Sequence, residues 1–177
     1  MVYDFFTYVY PIFPFPHEHL VMDRLRKRED AHNRSFCALI AALLASLATV
    51  FPRVAQVALS ELEQNGNVIA TDVFIGRCML VCEQTRGVLN SGRDVDDAAT
   101  AFFLGVVSYG RRQMRLVDMH MGEVLSILRY LGVEDGGLLA DGAPADHVTG
   151  ELCRRLYWAV YDLDRYMTLS CLYKKHD

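Results

Sequence analysis

FCALIAALLASLATVF, residues 36–51, is the segment on which the interpretation of the fold depends. It is the one stretch that resembles a membrane-spanning helix, but it contains 16 residues, among them Ser46 and Thr49, and stops at Pro52. A helix that crosses a bilayer requires about 20 predominantly apolar residues. We therefore predict that residues 36–51 form a buried core helix and that the chain does not enter a membrane.

The segments on both sides of this helix repeat their apolar residues at helical spacing. Between residues 95 and 107 the apolar positions alternate in steps of three and one, which matches a helix face and excludes a strand. Further helices are predicted at residues 17–27, from residue 52 onward, and at residues 69–89, 113–131 and 148–172. N-terminal helix caps are predicted at Asn33 or Ser35 and at Asp94. Breaks are predicted at 65–67, 90–92 and 134–146. The predicted fold class is all-α, an array of about seven helices packed around a central C-terminal helix.

The composition favours one soluble domain. The chain has 177 residues, of which 52% are apolar, so it can bury a core. Lys and Arg number 18 and Asp and Glu number 22, which gives a net charge of −4. Because a mildly acidic chain does not attract nucleic acid as a whole, we do not expect a self-sufficient DNA-binding domain. Five cysteines without a paired framework indicate free thiols in a reducing, intracellular compartment.

The N-terminal strap, residues 10–16 (YPIFPFP), combines three prolines with the large apolar side chains of Ile12, Phe13 and Phe15. Proline lacks a backbone donor and restricts the residue before it, so the strap is predicted to be extended. A segment this apolar is expected to lie across the core. His17 and Glu18 follow at the start of the next predicted helix, and we interpret this pair as a hydrogen-bonding feature of the helix start.

The C-terminal helix carries two stripes. The first is an ordinary core stripe, and the second places Arg154, Trp158, Tyr161 and Arg165 on another side of the helix. A helix with apolar or aromatic groups on two sides is usually central in its fold. The second stripe is either an ion-pair and aromatic network that fixes the helix or the polar edge of a ligand pocket. Its nearby acids are Glu151, Asp162 and Asp164.

Two segments near the ends of the chain resemble the fungal-specific transcription factor domain. This domain is the regulatory, or middle homology, region of fungal zinc-cluster transcription factors, and it is also named after the xylanolytic activator. Residues 10–18 (YPIFPFPHE) resemble its opening segment, and residues 151–165 (ELCRRLYWAVYDLDR) resemble its signature helix. Residues 122–132 (GEVLSILRYLG) are similar to a third family helix but lack the His that customarily follows. The residues that carry the two main motifs are Tyr10, Pro11, His17 and Glu18, and Arg154, Arg155, Trp158, Tyr161, Asp164 and Arg165.

The resemblance implies regulation in the nucleus rather than enzyme chemistry. In this family the region restrains transcriptional activation until a metabolite or a partner is sensed. The implied partners are a small-molecule inducer, transcriptional co-regulators or the protein's own activation segment, and a second copy in a homodimer. Members of the family usually continue past the signature helix, so residues 1–177 are expected to be a single regulatory domain truncated at its C-terminal side.

The resemblance does not extend to the DNA-binding module of the family. That module needs six closely spaced cysteines around a pair of zinc ions. Here successive cysteines are 41, 4, 71 and 18 residues apart, so the zinc-cluster module is absent from this sequence. We therefore expect no cofactor in this chain, and we expect zinc and DNA binding only through the missing module.

Two other functions remain open at this stage. One is a helical interaction or dimerisation module without a small ligand, and the other is a small all-α enzyme. Cys78 and Cys82 lie one turn apart, but a closed metal site needs two more ligands than this pair supplies. Helix capping is the expected role of the acids at 94, 96 and 97, and a solvated helix end is the expected role of the basic run at 24–28.

Overall fold

The structure is a computed structural model that describes residues 1–61, 69–86, 93–133 and 146–173. Its helices are α1 (Val2–Asp4), which continues as a π-helix (Phe5–Val9), α2 (Glu18–Arg26), a 3-10 turn (Glu29–Ala31), α3 (Arg34–Val50), α4 (Pro52–Glu61), α5 (Thr71–Arg86), α6 (Val95–Gly110), α7 (Met114–Tyr130) and α8 (His147–Tyr173). No β-strand occurs within the described ranges. The all-α prediction is confirmed.

The helix starts lie where the capping residues predicted them. The Asn33 side chain accepts a hydrogen bond of 3.1 Å from the Phe36 amide, and Pro52 is the first residue of α4. At the start of α6 the Asp94 carboxylate accepts from the Asp97 amide at 2.9 Å, while the Asp97 carboxylate accepts from the Asp94 amide at 3.2 Å. These reciprocal bonds satisfy backbone donors that a helix leaves open. The breaks predicted at 65–67 and 90–92 lie outside the described residues, as does all of the predicted 134–146 loop except its last residue.

The centre of the fold is α6. All of its residues from 98 to 108 are buried, so this helix has no solvent-facing side over three turns. It packs between α3 and α7, and α3 also packs against α5. Small residues permit the close approach, and a side chain at Gly105 would collide with the end of Met121 from α7.

The predicted central position of the C-terminal helix is wrong. α8 contacts α6 and α7 and buries Leu156, Val160 and Leu163 along one face. Its second stripe is not a second core face, because the Trp158 side chain is 51% exposed. A half-exposed aromatic residue produces the same helical pattern as a buried one, so the pattern alone overestimates the burial of this helix.

The N-terminal strap packs on α6 through aromatic rings. The Phe13 ring centroid is 5.2 Å from that of Phe102, and the Phe15 centroid is 4.9 Å from the same ring. Phe5 makes a further edge-to-face contact of 5.3 Å with Phe103. Such pairs contribute about 0.5–1.5 kcal/mol beyond the burial of their area. The prediction that the strap lies across the core is confirmed.

The beginning of the strap is not extended, contrary to the prediction. The Tyr10 amide donates to the Phe5 carbonyl at 3.0 Å, and the Ile12 amide donates to the Val9 carbonyl at 2.9 Å. Tyr10 precedes a proline and still adopts helical dihedral angles, φ −54° and ψ −37°. Pro11 lacks an N–H group, so its position in this turn leaves no backbone donor unsatisfied.

Residues 36–50 of the apolar segment 36–51 belong to α3, which is largely buried inside the protein. In the described part of the chain, no single helix is long and apolar enough to cross a membrane. The pair α3 and α4 meets the criterion only when the two are taken together, and they are bent by 118° at their junction.

A partly buried cluster around Arg24 ties α2 to α6. The Arg24 guanidinium donates to Asp96 at 2.6 Å and to Glu29 at 2.9 Å, and it lies 3.9 Å from the centroid of the Phe36 ring. The hydrogen bond from Arg24 lowers the pKa of Glu29. The expectation of a solvated basic run is therefore wrong for Arg24, and the expectation of capping is wrong for Asp96, whose carboxylate faces Arg24 instead.

We predict that Arg24→Ala lowers the free energy of unfolding by about 3 kcal/mol, because the variant leaves the buried Asp96 carboxylate without this cation. The matched control is Arg26→Ala, which removes an exposed ion pair with Asp23 and is expected to cost less than about 1 kcal/mol. Urea denaturation of both variants measures the difference. Equal effects of the two substitutions would contradict a structural role for the Arg24 cluster.

The capping carboxylate of Asp94 makes stability depend on pH. Burial, with repulsion from Asp96 and Asp97, raises the pKa of Asp94 to about 6. Because an unfolded Asp titrates near pH 3.9, the folded state binds this proton more tightly, and its stabilising effect is lost as pH rises through about 6. Asp94→Asn keeps the cap oxygen but cannot ionise.

We therefore predict that the stability of Asp94→Asn relative to the wild type increases between about pH 4 and about pH 7. Urea denaturation of both proteins across this range measures the difference in the free energy of unfolding. A difference that stays constant with pH would show that ionisation of Asp94 does not affect folding.

Candidate functional site

A groove lies between the N-terminal strap and α8. Its volume is about 430 Å³. One wall consists of three consecutive strap residues, and the other consists of side chains from three turns of α8. The lining residues are Ile12, Phe13 and Pro14, and Glu151, Arg154, Arg155, Trp158, Ala159 and Asp162. The groove thus joins the two segments that carry the family resemblance.

Arg155 fixes the strap to α8. Its Nη1 donates to the Pro14 carbonyl oxygen at 3.0 Å, and its Nε donates to Glu151 Oε1 at 2.9 Å. The bond to Glu151 raises the pKa of Arg155. A planar guanidinium with several fixed donors is suited to bridging a carboxylate and a backbone carbonyl at the same time.

Glu151 is shared between two arginines. Arg154 Nη1 donates to Glu151 Oε2 at 3.0 Å, while Arg155 holds the other carboxylate oxygen. These two bonds lower the pKa of Glu151. One carboxylate between two guanidinium groups leaves a net charge of +1 at this end of the groove.

An exposed aromatic row continues along α8. The Trp158 ring is edge-on to Tyr161, with 5.7 Å between the centroids, and the Arg165 guanidinium lies 5.0 Å from the centre of the Tyr161 ring. A cation over an exposed aromatic ring contributes about 0.5–1 kcal/mol. Asp164 is exposed on α8 and is not among the residues that line the groove.

The structure separates the N-terminal motif into two places. Tyr10 lies near Arg155 but does not line the groove, whereas His17 and Glu18 lie at the start of α2, and Pro11 is exposed. His17 is the N-cap of α2 but makes no capping hydrogen bond through its side chain, so the predicted helix-start hydrogen bond is not formed by the ring.

His17 belongs to a second, smaller cavity of about 240 Å³, which Arg24 and Asp96 also line. The His17 ring centroid is 5.8 Å from that of His19. The two rings approach each other because His17 precedes the helix and has an extended backbone, so helical spacing does not apply to this pair. In the described ranges, no group of three or more His, Cys, Asp and Glu side chains could hold a metal ion.

Sequence reasoning identifies one wall of the groove and misses the other. The pattern on the C-terminal helix points to Arg154, Arg155 and Trp158, with Glu151 and Asp162 as nearby acids. Nothing in the sequence indicates that residues 12–14 form the facing wall, because the contact with Arg155 uses the backbone carbonyl of Pro14. The spacing of the prolines is the one sequence feature that bears on this wall, and it predicts only that the segment is a strap.

Comparison of the chain with models of protein families, with curated proteins and with solved structures gives no match.

The groove presents charged and apolar groups side by side. Its charged side chains are two guanidinium groups and two carboxylates, its apolar lining comes from both the strap and α8, and it is open to solvent. An exposed Trp beside arginines is a composition typical of binding hot spots at protein interfaces.

We predict that Trp158→Ala lowers the free energy of unfolding by only about 1 kcal/mol, because half of the side chain is already in water. Phe103→Ala, which truncates a fully buried ring, is the matched control and is expected to cost about 3–5 kcal/mol. Chemical denaturation measures both values. A loss above about 3 kcal/mol for Trp158→Ala would show that α8 is covered on both sides.

Proposed function

We propose that this chain is the regulatory domain of a fungal zinc-cluster transcription factor, and that its groove is where a metabolite or partner is sensed. The observation that carries the proposal is the hydrogen bond from Arg155 to the Pro14 carbonyl, at 3.0 Å across 141 residues of sequence. The two segments that resemble this family therefore meet at one groove. Segments with unrelated roles would not need to be neighbours.

The proposed role is restraint of transcriptional activation in the nucleus. A ligand or partner in the groove would contact the strap and α8 together, so binding can change the stability of their contact by mass action. The expected occupants are a small-molecule inducer, a co-regulator or the protein's own activation segment. Zinc and DNA binding are assigned to the family's separate module, in agreement with the net charge of −4.

A second candidate function is a helical interaction or dimerisation module that senses no small ligand. The observation that favours it is the exposed aromatic row on α8, where Trp158 is 51% and Tyr161 42% exposed. Exposed aromatic surface of this kind is enriched at protein interfaces. Both candidates assign the chain to regulation and recognition rather than to catalysis.

A transcription reporter tests the proposed function. Residues 1–177 are inserted between a neutral DNA-binding module and an activation segment, and expression in a fungal host is compared with that of an inert spacer of equal length. We expect the insert to reduce expression severalfold, and we expect Arg155→Ala and Trp158→Ala to relieve that restraint.

The controls separate loss of the groove from loss of the fold. Arg129→Ala changes an exposed residue on α7 and is expected to leave the restraint intact. Because Arg155→Ala removes contacts of the strap, Trp158→Ala is the variant that keeps the fold while altering the groove. Expression equal to that with the inert spacer, or restraint that neither groove variant changes, would contradict the proposed function.

A further inference from the structure

Three groove residues follow one another along α8 with different chemistry. Arg154, Trp158 and Asp162 are each one helical turn apart, and all three line the groove. The order from the beginning of the helix is therefore cation, aromatic ring, anion. Because the facing wall is the strap, whose nearest side chains are apolar, this charge order belongs to α8 alone.

The two ends of the groove have opposite charge. At one end, Arg154 and Arg155 share Glu151, which leaves +1. At the other end is the exposed carboxylate of Asp162. The nearest cation further along α8, Arg165, has its guanidinium over the Tyr161 ring, 5.0 Å from its centroid.

The middle of the groove is apolar and accessible. Trp158 is 51% exposed on the α8 side, and Ile12 is 53% exposed on the strap side. An apolar group placed between them would bury surface of both residues, which stabilises a complex by about 25 cal/mol for each Å² of apolar area removed from water.

The separation of the charges matches an extended peptide. Arg154 and Asp162 are two turns apart, which is about 12 Å along the helix axis. An extended chain advances about 3.3 Å per residue and points every second side chain to the same side, so residues i, i+2 and i+4 cover about 13 Å on one face. A free amino acid carries its two charges much closer together and cannot reach both ends.

We propose that the groove binds an extended segment of a partner protein that carries an acidic residue, an apolar residue two positions away and a basic residue four positions away. The acid faces Arg154, the apolar side chain lies between Trp158 and Ile12, and the base faces Asp162. This inference rests on the proposed function in using the same groove, and it adds the chemistry of the partner.

Trp158 provides the measurement, because it is the only tryptophan in the chain. Its fluorescence is followed during titration with four blocked peptides that contain no aromatic residue: Asp-Ser-Leu-Ser-Lys, Asp-Ser-Leu-Ser-Asp, Lys-Ser-Leu-Ser-Lys and Asp-Ser-Ser-Ser-Lys. We expect saturable binding of the first peptide, at least fivefold tighter than that of the other three, and weaker binding as salt increases.

Charge reversal at one end of the groove is the decisive variant. Asp162→Lys changes an exposed side chain, and it is expected to move the preference by at least fivefold to Asp-Ser-Leu-Ser-Asp. Asp164→Lys makes the same change at an exposed α8 position that does not line the groove, and it is expected to preserve the wild-type order. Thermal melts verify that both variants fold.

Three outcomes of the peptide titrations would overturn the inference. They are the absence of saturable binding, equal affinity for all four peptides, and a preference that Asp162→Lys does not change. A blue shift of Trp158 that depends on protein concentration without peptide would assign the groove to a second copy of the chain, which also overturns it. The reporter assay tests the proposed function independently of peptide binding. If groove variants relieve the restraint but no peptide binds, only the proposed partner chemistry is refuted.

Discussion

The burial of α6 on all sides is the constraint on which the other elements depend. A helix without a polar face must be covered from every direction, and here α3, α7, α8 and the strap provide the cover. The paired rings of Phe102 and Phe103 make this demand specific, because edge-to-face contacts require partner rings at defined positions. The strap supplies those rings, so its course over α6 follows from the central helix.

The position of the groove follows from the same constraint. α8 and the strap cover neighbouring sides of α6 and therefore lie next to each other, and the groove runs along their boundary. Arg155 links the two walls at one end of the groove by donating hydrogen bonds to both Glu151 and the Pro14 carbonyl. Exposed side chains on that boundary, such as Ile12, Trp158 and Asp162, can differ without disturbing the core, which makes the boundary a suitable place for a recognition function on a rigid scaffold.

Features that depend on neighbours in sequence could be predicted, and features that depend on distant residues could not. The helix at residues 95–107 and the caps at Asn33 and Asp94 depend on residues within one or two helical turns. The sequence pattern therefore includes all the residues that determine them. The environment of Arg24 is not predictable in this way, because its partner, Asp96, is 72 residues away. The exposure of Trp158 could not be predicted for the same reason, because it depends on which side of α8 the other helices and the strap pack against. For the groove, the residues on α8 have a sequence signal, whereas the backbone carbonyl of Pro14 has none.

The contact between the strap and α8 has a consequence for how the chain reaches its native state. Residues 14 and 155 are close in space but 141 positions apart in the sequence. Loop closure over such a distance costs entropy, so this contact is expected to form later than contacts between neighbouring helices. During synthesis, the strap emerges from the ribosome long before α6, and Phe13 and Phe15 lack their partner rings until α6 follows. The interval between the two events is a period in which a chaperone has apolar surface to bind.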